Sequence, residues 1–249
     1  MGTILLLLAI GVFAGFLNTI AGGGSLLTLP ILIFLGLPTA VANGTNRVAL
    51  VVQNGVAVWN FRRKGFFDWR LGLFFGIPAM IGSILGARLA IYTPDAVFNK
   101  ILAFVMLVVL WLTIRPKKKK SNFVHQEHLS KKQRIIGVLG FILIGVYSGF
   151  IQAGVGFVIM AFTSTLIGMS LVKVNSIKGL VIGLCMITSL ITYILHGDVR
   201  WSYGLLLAAG QGAGAWVGSN FAVNKGDKWI QRILVVTVLF MAAKLFFKF

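Results

Sequence analysis

Acidic residues are scarce in this chain of 249 residues, which holds 5 aspartates and glutamates against 23 lysines and arginines. The five acids all fall in predicted loops or in a hydrophilic linker: Asp68, Asp95, Glu127, Asp198 and Asp227. A proton relay built on intramembrane carboxylates is therefore not expected. Cys185 is the single cysteine, so no intramolecular disulfide can form.

Residues that usually carry catalysis or bind metals are equally sparse. His125 and His128 lie in the hydrophilic linker, where solvated side chains are the simpler interpretation, and His196 lies at the end of an apolar segment. The sequence shows no intramembrane carboxylate pair, no cluster of metal ligands and no Ser/His/Asp set. We therefore expect no enzyme activity, no metal and no cofactor.

Apolar residues dominate instead. Hydrophobic residues make up 58% of the chain and charged residues 11%, and the mean hydropathy is +0.94. Runs of about 20 apolar residues recur from end to end, which is enough to cross a hydrocarbon core of about 30 Å. The runs do not alternate polar and apolar residues as the strands of a β-barrel do. The sequence therefore predicts an all-α integral membrane protein that crosses the bilayer several times.

The net charge of +18 has a simple explanation in a membrane protein. A basic balance is compatible with nucleic-acid binding, but the positive residues cluster in short loops and in the stretch Arg115–Arg134, which carries eight of the 23. This is the positive-inside pattern. We expect the cell (inner or plasma) membrane as the location, a cytoplasmic linker, the lipid bilayer as a partner and no nucleic acid.

The chain contains an internal duplication. GVFAGFLNTIAGG (11–23) matches GVYSGFIQAGVGF (145–157), and the match continues into the following segments. The later pairs are Asn43 with Asn175, Asn46 with Lys178, Gly82 with Gly214, and Gly86 with Gly218. We predict a first transmembrane repeat over 1–115, a basic linker over 116–134 and a second transmembrane repeat over 135–249.

Each half shows five apolar segments. They cover about 3–20, 25–37, 40–61, 70–91 and 97–114 in the first half, and 135–153, 156–170, 172–195, 202–222 and 229–248 in the second. The second segment of each half is short, and as a helix 25–37 reaches only about 20 Å. It either spans the bilayer or returns within it. The pattern predicts about 8–10 transmembrane segments with broken or short helices near the midplane.

Loop charges predict the orientation. The loop Arg62–Arg70 is basic and therefore cytoplasmic, whereas Tyr92–Asp95 carries no positive charge and faces out. In the second half the sides reverse, because the nearly balanced 196–200 faces out and the basic loop Asn224–Lys228 faces in. Matching loops thus lie on opposite sides, which is the inverted-repeat arrangement of secondary transporters.

A break follows the first segment of each half. Gly22, Gly23 and Gly24 form the first break. Ser25 then begins a helix whose N–H groups and positive dipole end are suited to an anion. Asn18 lies beside it. The second half repeats the break with Gln152, Gly154 and Gly156. The alternative is that these glycines only allow close helix packing.

Two cations lie inside apolar runs of the third segments. Asn43 and Asn46 are spaced i, i+3 on one helix face with Arg47 beside them, and Asn175 and Lys178 repeat the spacing. Neither cation has an acidic partner in the membrane segments, which indicates a mobile anion as the counter-charge. The alternative is that each side chain extends to its nearer interface.

These motifs resemble the sulfite exporter family called TauE/SafE. The resemblance is carried by 15–50, by Gly65, Asp68 and Trp69, by GSILGARLA (82–90), and by GFIQAGVGFVIMAF (149–162) with VNSIKG (174–179). It implies an inner-membrane permease for sulfite, sulfonates or related anions. The second half departs from the ideal repeat, with Gly-Val-Gly-Phe where the first has Gly-Gly-Gly-Ser.

The sequence thus predicts a secondary transporter, an exporter of small anions, that binds its substrate between the two halves. The expected substrate-binding residues are Asn18, Gly22, Gly23, Gly24, Ser25, Asn43, Asn46, Arg47, Gln152, Gly154, Gly156, Asn175 and Lys178. These residues suit sulfite, sulfate-like, sulfonate and carboxylate anions alike. A passive anion channel of the same fold and a membrane assembly protein that moves nothing are the alternatives.

Overall fold

The computed structural model describes residues 2–20, 22–114, 130–167 and 171–246, and every regular element in these ranges is an α-helix. Most of the linker, with His125 and His128, lies outside the described residues. The helices are α1 Gly2–Ile20, α2 Ser25–Phe34, α3 Thr39–Arg63, α4 Trp69–Ile91, α5 Asp95–Ile114, α6 Lys131–Phe150, α7 Val155–Ile167, α8 Leu171–His196 and α9 Trp201–Phe246.

The helices confirm an all-helical membrane protein. Four of them are long and apolar enough to cross a bilayer, within the described residues: Gly2–Ile20, Trp69–Ile91, Lys131–Phe150 and Val172–His196. The helices that follow the two breaks are shorter, at 10 residues for α2 and 13 for α7. Large apolar side chains such as Leu5 and Leu143 are exposed on the outer surface, where lipid would cover them.

Most helix ends lie within a few residues of the sequence-based limits, and α6 shows why one begins earlier. It starts at Lys131, four residues before the expected segment. Ser130 Oγ accepts a hydrogen bond from Gln133 N at 3.2 Å, while Gln133 Oε1 accepts one from Ser130 N at 2.9 Å. This capping box stabilises the first turn, so a polar stretch that looked like linker is helical.

The prediction of a loop at Asn224–Lys228 is wrong. Where the sequence predicted two segments, 202–222 and 229–248, the structure has the single 46-residue helix α9. The stretch Asn224–Lys228 contains no proline and one glycine, and charged residues alone do not interrupt helical hydrogen bonds. At 1.5 Å per residue α9 is about 69 Å long, so one bilayer crossing accounts for less than half of it.

The loops that should face the same side lie at the same end of the molecule. Tyr92, in the loop after α4, contacts the ring of His196 at the end of α8, with ring centroids 5.9 Å apart. At the opposite end of α3, Asn60 Nδ2 donates to Ser219 Oγ of α9 at 2.7 Å. The loop Tyr92–Asp95 and the stretch 196–200 therefore lie at one end of the helix bundle. The basic stretches Arg62–Arg70 and Asn224–Lys228 follow the contacts at the other end, as their charges predicted.

The closest helix pairs join one half to the other. α1 packs along α9. A Cβ atom added to Gly11 would lie 3.1 Å from Gly210 Cα, and one added to Gly218 would lie 3.0 Å from Phe16 O. Because contacts advance together along both helices, α1 and α9 run parallel. Small residues permit this backbone contact, as in other membrane helix pairs.

α4 packs along α6 in the same way. A Cβ atom on Gly82 would meet the carbonyl oxygen of Ile142, and one on Gly86 would meet that of Val146. α4 and α6 are therefore parallel too. Gly86 contacts Val146, and Gly214 contacts Val12, the residue that matches Val146 in the repeat. By these contacts Gly86 corresponds to Gly214. This register differs by one helical turn from the pairing that the sequence suggested.

Corresponding helices of the two halves run in opposite directions. α3 is antiparallel to α8, because Gly44 contacts Tyr193 while Gly183 contacts Asn54. Contacts between α3 and α9, and between α4 and α8, advance in parallel. α1, α3 and α9 thus share one direction, and α4, α6 and α8 share the other. This arrangement agrees with the predicted inverted repeat.

Close backbone packing predicts a sharp difference between two glycines. In Gly86→Ala the new Cβ would overlap Val146 O and lie 2.8 Å from Phe150 N, so α4 and α6 must separate. We expect a loss of about 1–3 kcal/mol in the free energy of unfolding. Gly55 is a matched control in α3, because no atom lies within 4 Å of its added Cβ. Gly55→Ala should be neutral or stabilising by about 0.5–1 kcal/mol.

Thermal unfolding of the two purified variants in the same detergent would test this pair. A melting temperature of Gly86→Ala equal to that of Gly55→Ala would contradict the packing described for α4 and α6.

Candidate functional site

The two helix breaks meet inside the protein. The first separates α1 from α2 and the second separates α6 from α7. A Cβ atom added to Gly22 would overlap Gly156 Cα and lie 2.6 Å from its carbonyl carbon. Both glycines are buried. The breaks of opposite halves are thus in direct backbone contact, which brings together two groups of predicted site residues far apart in sequence.

Left-handed backbone conformations mark both breaks. Gly22 has φ +88° and Gly154 has φ +76°, values that glycine adopts without steric cost. Gln152 has φ +63°, and it is the one non-glycine residue with positive φ in the described part of the chain. An L-residue with a side chain pays about 1–2 kcal/mol for that conformation. Its buried side chain therefore sits at a backbone position that favours glycine.

Several backbone donors at the breaks have no acceptor in the described part of the protein. Four N–H groups make no hydrogen bond to a protein atom within the described residues: those of Gly23, Gly24, Gly154 and Gly156. All four residues are buried. By contrast, the N–H of Ser25 donates to Asn18 Oδ1 at 3.3 Å, so the first residue of α2 is already capped. The donors of Gly23, Gly24 and Gly154 therefore lie in the breaks, and that of Gly156 lies in the first turn of α7.

Arg47 is fully buried and binds the end of a helix from the other half. Its Nη1 donates to Ser189 Oγ at 2.7 Å and to Ser148 O at 3.3 Å, and its Nη2 donates to Gly149 O. Its Cζ lies 4.8 Å from the centroid of the Tyr193 ring, within range of a cation–π contact. The side chain does not extend to an interface.

Lys178 plays the reciprocal role. Its Nζ donates to Asn18 O and Thr19 O, each at 3.0 Å, so this cation of the second half binds the last turn of α1. Only 2% of the residue is exposed. An ammonium group has three N–H donors, and the two carbonyls use two of them. As for Arg47, the alternative in which the side chain extends to the membrane surface is wrong.

The paired asparagines complete both helix ends. Asn175 Nδ2 donates to Ile20 O at 3.2 Å, and Asn43 Nδ2 donates to Phe150 O at 2.7 Å. Each is the last carbonyl of its broken helix. One Asn and one cation from each half therefore satisfy the C-terminal carbonyls of the broken helix in the other half, where the negative end of the helix dipole also favours positive charge.

Where the structure describes the chain, no carboxylate neutralises these two cations. No aspartate or glutamate is among the buried residues in the described ranges. The ion pair found there joins His196 Nδ1 and Asp198 Oδ2 at 2.8 Å, at a loop end away from the breaks. Backbone carbonyls face both cations, and Arg47 also contacts the Ser189 hydroxyl and the Tyr193 ring. Two basic side chains thus lie in the interior beside the breaks with no buried acid among the described residues.

Asn46 is the predicted residue with the least defined role. It is buried, and its Oδ1 has no hydrogen-bond partner among the described residues.

Gln53 is a polar residue that the sequence did not single out: its Oε1 accepts a hydrogen bond from Asn18 Nδ2 at 3.1 Å. The signal was available, because Gln53 follows Asn46 by seven residues and so lies on the same helix face. Ser189 and Tyr193, which hold Arg47, carried no distinguishing pattern.

Comparison with known proteins identifies the family. The profile described as "Sulfite exporter TauE/SafE" matches residues 7–245. The chain is 31% identical to "Probable membrane transporter protein ORF9" of Sinorhizobium sp, over 93% of this chain and 88% of that protein. It is 32% identical to "Probable membrane transporter protein YfcA" of Escherichia coli strain K12, over 96% and 87%.

A similar protein of Haemophilus influenzae, also named "Probable membrane transporter protein", is 30% identical over 96% of this chain and 93% of its own length. No solved structure matches the chain significantly. The family profile covers nearly the whole length, including both breaks and both buried cations. The chain therefore belongs to the sulfite exporter TauE/SafE family of membrane transporters.

Proposed function

We propose that this protein is a secondary carrier that exports small anions of the sulfite or organosulfonate type across the cell membrane. The substrate would bind where the two helix breaks meet. One observation carries the proposal: in the described part of the chain, buried backbone N–H groups at both breaks have no protein acceptor, and the interior there holds two cations and no buried acid. An oxyanion supplies the acceptors and the negative charge that this arrangement lacks.

The donors suit an oxyanion because it offers several acceptor oxygens around one centre. Successive backbone N–H groups in a break form a concave anion site, and glycine lets the ligand approach the backbone closely. Gly23 and Gly24 supply such donors from one half, and Gly154 and Gly156 from the other. A ligand bound by both halves would couple its own binding to their relative position.

The polar side chains divide into two roles in this proposal. Asn43 and Asn175 already donate to carbonyls, so in this conformation they hold the helix ends. Arg47 and Lys178 do the same while providing a fixed positive field, and Lys178 keeps one N–H donor for the substrate. Gln152 and Asn46 are buried at the breaks and in α3, where they would contact the anion directly.

The membrane potential is sufficient to drive export. With the cell interior negative, each elementary charge that leaves gains about 2.3 kcal/mol per 100 mV. The proposed carrier therefore needs no intramembrane carboxylate and no coupling ion. Rocking of residues 1–115 against 135–249, joined by the cytoplasmic linker 116–134, would expose the site to alternate sides.

Uptake of labelled sulfite into proteoliposomes, with the imposed potential reversed between runs, is the direct test. We expect saturable uptake that follows the potential, shows counterflow and is competed by sulfonates, because one site alternates between sides. Flux that stays linear with concentration and shows no counterflow would indicate a channel. Absence of uptake at both polarities, with a protein partner retained through purification, would contradict transport and favour an assembly role.

Neutralising both buried cations should abolish transport. In the double variant Arg47→Gln, Lys178→Gln, the positive field disappears and carbonyls at both helix ends lose their donors. We expect sulfite flux to fall at least about 100-fold, which corresponds to about 2.7 kcal/mol of lost anion stabilisation. The measurement is initial flux per mole of folded protein in proteoliposomes at a fixed potential.

A control separates charge from folding stability. Thr45 Oγ1 accepts a hydrogen bond from Arg200 N at 2.8 Å, near the N-terminal end of α3. Thr45→Val leaves that N–H unpaired, at a cost of about 1–3 kcal/mol, but changes no charge. We expect reduced thermal stability with normal flux per folded protein. If the double variant also kept normal flux, the cations would have no part in anion transport.

A further inference from the structure

Gln211 is a buried amide whose two polar atoms are both unpaired. The residue lies in α9 and is fully buried, yet neither Oε1 nor Nε2 has a hydrogen-bond partner among the residues that the structure describes. Its backbone lies against α1, because a Cβ atom added to Gly15 would be 2.7 Å from Gln211 Cα. The close approach of two backbones thus fixes the place of this side chain in the interior.

The position is beside the first break. Asn18 follows Gly15 by one helical turn and bonds to Gln53 of α3 at 3.1 Å. Gln53 is at the same level as Gln211, because its neighbour Val52 lies 3.4 Å from the Cβ position of Gly212. Gln211 therefore belongs to the layer in which Asn18 caps α2 and contacts α3.

The corresponding position in the other helix pair has no unpaired group. A Cβ atom on Gly149 would be 2.8 Å from Ser83 Cα, so Ser83 stands against α6 as Gln211 stands against α1. Ser83 Oγ is hydrogen-bonded to Thr188 Oγ1 at 2.7 Å and to Met80 O at 2.9 Å. Packing at this position therefore requires only a small residue with internal hydrogen bonds.

An unpaired amide is an unfavourable choice for packing alone. Burying a donor and an acceptor without partners forfeits the hydrogen bonds that water makes in the unfolded chain, and nearly all buried polar groups in proteins are paired. An apolar side chain of the same size would pack as well without that cost. The missing partners of Gln211 are therefore expected to come from a ligand.

We propose that Gln211 is a substrate-binding residue of the carrier, donating from Nε2 to an anion oxygen and accepting at Oε1 a hydrogen bond from the same ligand. The proposal rests on the function proposed above and specifies its substrate class. A ligand that satisfies both atoms is an oxyanion that still carries a proton, as hydrogensulfite does. Sulfate carries no proton at neutral pH and would satisfy Nε2 alone.

The variant Gln211→Met tests this role, because methionine is similar in size and has no amide. Without anion, we expect its melting temperature to rise by about 2–4 °C, since the unpaired polar atoms are gone. For labelled sulfite, the half-saturating concentration should rise at least about tenfold. Unlabelled sulfite should compete with labelled sulfite better than sulfate does in the wild type, and this difference in competition should become smaller in the variant.

Ser83→Ala is the matched control at the corresponding position. It removes paired hydrogen bonds, so its melting temperature should fall while the half-saturating sulfite concentration stays as in the wild type. Gln211→Met would overturn the proposal if it melted at a lower temperature than the wild type without anion, because the amide would then be bonded in the empty protein. An unchanged half-saturating concentration would overturn it as well.

The two proposals fail differently. If the wild-type protein takes up no sulfite and shows no thermal shift with sulfite, sulfate or small carboxylates, the proposed function fails. The melting temperatures without anion then decide on Gln211 alone: stabilisation in Gln211→Met supports a ligand-binding amide, and destabilisation refutes it.

Discussion

Two helices that end inside the membrane protein impose the constraint on which the rest of the structure depends. The bilayer core offers no water, so the last carbonyls of α1 and α6 need donors from the protein. In α1, the N–H of Gly22 donates to Leu17 O, and the side chains of Lys178 and Asn175 satisfy the three carbonyls that follow. Equivalent side chains of α3 serve α6. A break in the bilayer is thus stable only with donors from the opposite half.

This solution links stability to charge. Two of the donors are cations, and the described interior contains no acid to neutralise them. The same groups that allow the helices to end therefore leave a positive field beside the free N–H groups of the breaks. In the proposed carrier, motion of one half relative to the other would also exchange these bonds, because the bonds from Arg47 and Lys178 to the helix-end carbonyls cross between halves. In the proposed carrier, helix capping, anion binding and conformational coupling would depend on the same few side chains.

The sequence predicted the parts of this arrangement that follow from local pattern. Turn residues and apolar runs located most helix ends, and the matched positions of Asn43 and Asn175 singled out these asparagines, although as substrate ligands rather than as helix caps. The carbonyl partners of the cations were not predictable, because they depend on which helices pack together. Local charge suggested a loop in α9 where helical hydrogen bonding continues. Gln211 was missed because its neighbours are set by the contact of α9 with α1, which no spacing within α9 reports.

The two helix ends are held by different chemistry, and this difference gives the site a direction. Lys178 makes two bonds from a compact ammonium group that turns freely on its stem. Arg47 is held on several sides, by carbonyls of α6, by Ser189 and by the ring of Tyr193. In the proposed carrier, an arriving anion would displace a bond more easily from the Lys178 ammonium than from the Arg47 guanidinium. The α1 end would therefore be the place where substrate exchanges with a helix cap, with the α6 end as its fixed support.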